Sequence, residues 1–292
     1  MRRWRAWWER QRAGGRQRVL PVRGVTTGVA VLLAFAGVAS QPEVLRAHAA
    51  PAPAVQLTAG EVTLDAATGE GEAAGGVRLT DGRTTAVAAR ARLARRAGLA
   101  VLSGGARVVA PQGTLAAREI TVAFTRQTIT RIVARGEAIL DAQDLRLRAP
   151  GITIVPAREE VTADGGVALV VPPDVTATGQ RFVYRRAAGE MVLDGDARVV
   201  TRDGSVTGTR VEADRRVRRA RVSGPVRAVW GQLAVESQMA LLDHQAQVAV
   251  FTGQVRAADP HRRLATERLV VWYTHRRLLA EGPTHIVVEP AP

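Results

Sequence analysis

The sequence contains no cysteine, no lysine and no asparagine. Without cysteine there is no disulfide framework and no thiolate metal site. Without lysine, all 41 basic residues are arginine, set against 27 acidic ones. The codons for lysine and asparagine are AT-rich, so their joint absence points to a GC-rich genome. Part of the net charge of +14 then reflects codon usage. Aromatic residues make up only 4%. Single-strand nucleic-acid binders interleave basic residues with aromatic platforms; here Trp230 and Trp272 stand alone, so no nucleic-acid partner is expected. No HExxH, Gly-x-Ser-x-Gly, P-loop or Rossmann fingerprint occurs. His48, His244, His261, His275 and His285 form no metal-ligand pair, and the acids are scattered singly. A non-enzyme without metal or cofactor is expected. The 292 residues are 46% hydrophobic and 23% charged, ordinary for a folded chain.

The charge is concentrated at the front. Residues 1–49 hold nine of the arginines and two of the acids, hence half the excess. An uncharged apolar run follows from Val25 to Ser40. A basic segment ahead of an apolar one is the pattern of an export signal. Ala47-His48-Ala49 fits a small-x-small cleavage site, and Pro51–Ala54 reads as a linker. The run is shorter than the about 20 residues of a spanning helix. Counted back to Val19 it lengthens but takes in Arg23. A cleaved signal and a retained anchor through 19–40 both remain open. In either case the basic flank keeps the N-terminus in the cytoplasm and the rest is exported. The expected organisation is a basic, hydrophobic N-terminal helix segment over 1–49, a linker over 50–56 and one repeat domain over 57–292.

A short motif recurs through that domain. Gly75, Gly104, Gly136, Gly165, Gly195, Gly224, Gly253 and Gly282 each open it, at steps of 29, 32, 29, 30, 29, 29 and 29. The second and fourth residues after each glycine are mostly apolar, as in Ala106 and Val108 or Ala197 and Val199. The residue between is usually arginine, as in Arg107 and Arg198. Alternation at period two predicts a strand with one buried face. A small residue follows each glycine by 13 or 14 positions, through Ala88, Ala117, Ala149, Gly179, Gly208, Ser237 and Thr266. Apolar or aromatic residues lie three and five beyond it, predicting a second one-sided strand. Asp81-Gly82, Gln112-Gly113, Pro172-Pro173 and Asp203-Gly204 read as turns between the two strands. Eight units predict about 16 antiparallel strands. The rival segment Thr84–Leu102 is rich in the helix formers alanine and arginine, but its place in the repeat makes it strand. The recurrent glycine is expected to mark a bulge or bend. The 32-residue step is expected to add residues to a turn near Arg126–Thr128.

A glycine, a β-alternation, a turn and a small residue leading a second alternation, repeated near 29 residues behind an export signal, resembles the OstA-like family of lipopolysaccharide transport. That family includes the periplasmic bridge protein LptA and its membrane-anchored partner LptC. The resemblance covers residues 57–290. In the family the small residue is often followed by aspartate, whereas here Arg118, Gln180 and Glu267 follow it. Tyr184 matches the aromatic that often closes the second strand. The resemblance implies an all-β jellyroll in the periplasm whose interior holds the acyl chains of lipopolysaccharide or a similar glycolipid. It implies end-to-end docking with other jellyroll modules, or with further copies of the chain, through terminal strands. It also implies outer-membrane biogenesis as the process served. The alternative is a structural β-repeat protein of the cell envelope with a closed core and no ligand.

The candidate lipid-contacting residues are Val108, Ile120, Val122, Ile152, Ile154, Phe182, Tyr184, Val199, Leu269 and Val271. The alternation assigns them to the inner face; whether that core opens is left undecided. The run Asp214–Val222 is the densest basic stretch beyond the leader. It reads either as a phosphate site or as a solvated turn and strand face.

Overall fold

The computed structural model describes residues 55–288, apart from 66, 127, 203 and 273–276, together with the backbone of 19–21. The apolar run 25–40, the cleavage site, most of the linker, Asp203 and the His275–Arg276 turn lie outside the described residues. In chain order the strands are β1 (Val19–Pro21), β2 (Gln56–Thr58), β3 (Glu61–Leu64), β4 (Glu70–Thr80), β5 (Thr85–Ala94), β6 (Leu99–Ala110), β7 (Gly113–Phe124), β8 (Ile129–Ala142) and β9 (Arg146–Val155). They continue as β10 (Glu160–Val171), β11 (Val175–Arg185), β12 (Glu190–Val200), β13 (Gly204–Asp214), β14 (Arg219–Trp230) and β15 (Leu233–Asp243). The last are β16 (Val248–Asp259), β17 (Arg262–Trp272), β18 (Arg277–Glu281) and β19 (His285–Val288). All belong to one antiparallel sheet. No helix among the described residues is long and apolar enough to cross a membrane. β1 pairs with β18, so the longer apolar span counted back to Val19 starts as strand rather than helix.

From β4 to β17 each strand pairs with the next. β2 and β3 pair with opposite ends of β4, as one strand interrupted at Ala59–Gly60. β18 and β19 pair likewise with the two ends of β17, interrupted at Gly282. The expected sixteen strands are therefore present as fourteen long ones and a broken strand at each edge. The eighth unit contributes one strand among the described residues. Its expected inward residues, Thr284 and Ile286, are both exposed.

The eight repeat glycines all have φ between +76° and +92°. At the first seven the ladder skips, and two residues oppose one. Gly104 and Gly105, for example, face Arg118 alone, between the pairs Ser103–Glu119 and Ala106–Ala117. This is a bulge with left-handed glycine at its first position. The second position is open to solvent, and Glu137, Asp196 and Gln254 occupy it with positive φ. The small residue of the second signature sits directly across from the residue that follows the bulge, as in Ala197–Gly208 and Val226–Ser237. Space is short there: a Cβ on Gly208 would lie 2.5 Å from Val222 Cγ1.

One face of this sheet is apolar and buried along its length, with no long helix or second sheet against it among the described residues. A single sheet can bury one face only by rolling upon itself. The bulges supply the bend, and the hairpin turns form two rims that meet along the open side. The result is an antiparallel β-jellyroll. The 32-residue step falls in the β7–β8 hairpin, as expected, but it lengthens the strands. The added pair is Phe124–Ile129, set off by a bulge beside Ala123.

Candidate functional site

All ten candidate residues point into the roll. Ile120, Val122, Ile152, Phe182 and Leu269 are fully enclosed in the core. Val199 and Val271 are buried and Ile154 is partly buried against the same cluster. Val108, Ile154 and Tyr184 line a cavity of about 430 Å³. Most of its surface is apolar, with Leu115, Ile129, Ile132, Leu140, Leu145 and Val161 prominent, and charged residues of the turns join the lining. Sequence reasoning missed most of this wall. Leu115 and Ile132 precede the two signatures by two and four residues, so extending the same alternation backwards identifies them.

The cavity opens between two polar clasps that join the rims. At one, Asp81 in the β4–β5 turn accepts hydrogen bonds from Ile129 N at 3.0 Å and, with its other oxygen, from Thr84 N at 2.8 Å and Arg83 N at 3.0 Å. Burial pushes the Asp81 carboxyl up, but these backbone donors outweigh it and hold it below the ordinary carboxylate range. The hairpin extension supplies Ile129, so the longer repeat step builds this contact.

At the other clasp, Asp144 in the β8–β9 turn reaches the end of β11 and the β13–β14 turn. Its Oδ2 accepts from Arg215 Nη1 at 2.6 Å and from the Tyr184 hydroxyl at 3.0 Å. Arg215 Nη1 also donates to the Tyr184 oxygen at 2.8 Å. The guanidinium lies 5.9 Å from the Tyr184 ring centroid, within cation–π range. Burial raises the Asp144 carboxyl, but the bonds from Arg215 and Tyr184 outweigh it and hold it low. Burial, with Asp144 beside it, pushes the Tyr184 phenol up. For Arg215, burial opposes the charge but the Asp144 bond prevails, so its cation is stabilised.

The basic run 214–222 is engaged internally at several points. Arg215 belongs to the clasp, Arg216 donates to the Ala187 carbonyl, and Arg219 pairs with Asp243 at 2.7 Å. His244 lies in a turn where its N–H donates to the Arg218 carbonyl, and burial and Arg218 lower its pKa. His261 also lies on a turn, between β16 and β17. Among the described residues, no three histidine or acidic side chains gather where they could hold a metal ion.

Among the described residues the sheet ends in β3 on one side, where Val62 and Leu64 are exposed. On the other side β18 is paired with β1, and Ile286, Val287 and Val288 of β19 are exposed. No protein-family model matches the chain, and no curated protein matches it. Among solved structures it is similar to LptH of Pseudomonas aeruginosa, described as the LptA homologous periplasmic component of the conserved lipopolysaccharide transport device. The identity is 14%, over 61% of this chain and 96% of that one, with a TM-score of 0.22. A likeness at that score adds nothing to the fold, which rests on strand pairing and burial.

Proposed function

We propose that the chain is an exported, non-catalytic carrier that shields the acyl chains of lipopolysaccharide or a related glycolipid between the two membranes. The observation that carries this reading is the aliphatic cavity opening sideways between two rims of one rolled sheet. Each CH₂ withdrawn from water contributes about 0.8 kcal/mol, so a dry groove can hold a lipid without chemistry. Arginines at the rim suit phosphates. The exposed apolar residues of β3 and β19 suit strand addition, by which modules or further copies would form a bridge. On this reading residues 1–49 are a signal or an inner-membrane anchor, the pairing of Val19–Pro21 with β18 is given up on export, and 57–292 form the periplasmic repeat domain.

Most of the ten interior residues are packed against one another, which favours the rival reading, an envelope protein with a closed core. Carrying a multi-chain glycolipid therefore requires the clasps to part and the roll to widen. A photoreactive amino acid in place of Phe182 or Ile120 tests this directly. Irradiation in cells is expected to give a lipopolysaccharide adduct. Absence of any lipid adduct from several such interior positions would sink the carrier reading.

A further inference from the structure

We propose that the mouth between the Asp81 and Asp144 clasps is a binding site for one alkyl chain of an anionic amphiphile, tail inward, with Arg83 and Arg186 on its head group. The proposal deepens the carrier reading and rests on it for the lipid's source, but the site has its own geometry. The cavity's about 430 Å³ lies within the range of small-molecule sites. It is far from the space a multi-chain lipid needs, so the closed roll would admit one chain. The cavity's aliphatic inner wall suits an alkyl chain, and its polar and charged residues suit a head group.

The polar groups at the mouth are already divided into two kinds. Asp81 and Asp144 are committed to their clasps. Glu159 is exposed, and its carbonyl holds the Arg186 N–H at 3.0 Å. Arg83 and Arg186 are exposed beside the cavity and make no ion pair among the described residues. Arg186 lies near enough to help lower the Asp144 carboxyl. The two guanidinium groups are thus available for a carboxylate or phosphate held at the surface while its tail occupies the cavity.

The absence of native cysteine makes a single introduced thiol a clean reporter. Ala142→Cys places one at the cavity wall, and Ala258→Cys places one on an exposed strand position away from it. In the full-length protein, palmitate is expected to slow maleimide labelling of Ala142→Cys about tenfold and to leave Ala258→Cys unchanged. Adding Arg83→Glu and Arg186→Glu is expected to raise the protecting palmitate concentration about tenfold, a change of about 1.4 kcal/mol. Leu145→Trp, which fills the cavity, is expected to abolish palmitate binding measured by calorimetry, with a native circular dichroism spectrum as the folding check. No protection at Ala142→Cys, or equal protection at both thiols, overturns the site. Protection indifferent to the charge reversal overturns the head-group assignment. Palmitate protection without any lipopolysaccharide adduct at Phe182 or Ile120 leaves the site standing and removes the glycolipid reading alone.

Discussion

At the scale of single residues, two positions of one bulge should behave differently. A Cβ on Gly104 would lie 2.8 Å from Ala89 Cβ, whereas one on Gly105 meets open space. Both positions have positive φ, a strain of about 1–2 kcal/mol for an L side chain. Gly105→Asp should therefore cost about 1 kcal/mol, since Asp196 holds the same place in another unit. Gly104→Ala should cost more, because clash is added to strain. Chemical denaturation of the two variants compares them.

The clasp at Asp144 also makes a residue-scale prediction. Its folded carboxyl sits below the ordinary value of about 3.9, so its contribution is complete above that value. It is lost as pH falls through the lowered pKa. Tyr184 is raised above about 10, so its contribution holds below that value and is lost as pH rises through the raised one. Neither group should move the melting temperature between about pH 5 and 9, where the lowered His244 adds a fall below about pH 6.5, and the fall at more acid pH should be shallower in Asp144→Asn. A double-mutant cycle of Asp144→Asn with Arg215→Ala should give a coupling of about 1–3 kcal/mol.

At the scale of elements, the informative piece is the β7–β8 hairpin. Its extra length carries Ile129 to Asp81 on the opposite rim. Deleting Thr128–Thr130 returns the repeat step from 32 to 29. The jellyroll should persist, because the neighbouring strand pairs are untouched. The Asp81 clasp should be lost, and palmitate protection of Ala142→Cys should weaken several-fold. Unchanged protection would show that the extension does not shape the mouth.

At the scale of the whole molecule, the described residues end the roll in β3 on one side and β19 on the other, with exposed valine, leucine and isoleucine. Charged residues on an edge oppose strand addition. On the bridging reading the chain associates with rising concentration, and Val62→Lys combined with Leu64→Lys should abolish that association in sedimentation experiments without lowering the melting temperature by more than a few degrees. Association that persists in this variant would assign it to another surface.

The sequence by itself determined the repeat, because strand alternation and bulge geometry are local. A left-handed backbone asks for glycine at Gly104 or Gly195 whatever lies beyond its neighbours. The small residue opposite the bend, such as Gly208, follows from the adjacent strand. So the strands, their inward faces and the place of each bulge could be read from spacing. The tertiary structure decided where the roll closes and where it stays open. Asp144, Tyr184 and Arg215 are far apart in sequence, and Arg215 lies in a basic run that reads as solvated surface. Only rolling the sheet brings one rim against the other, and only that contact separates the enclosed Phe182 and Ile120 from Val108, Ile154 and Tyr184 at the cavity.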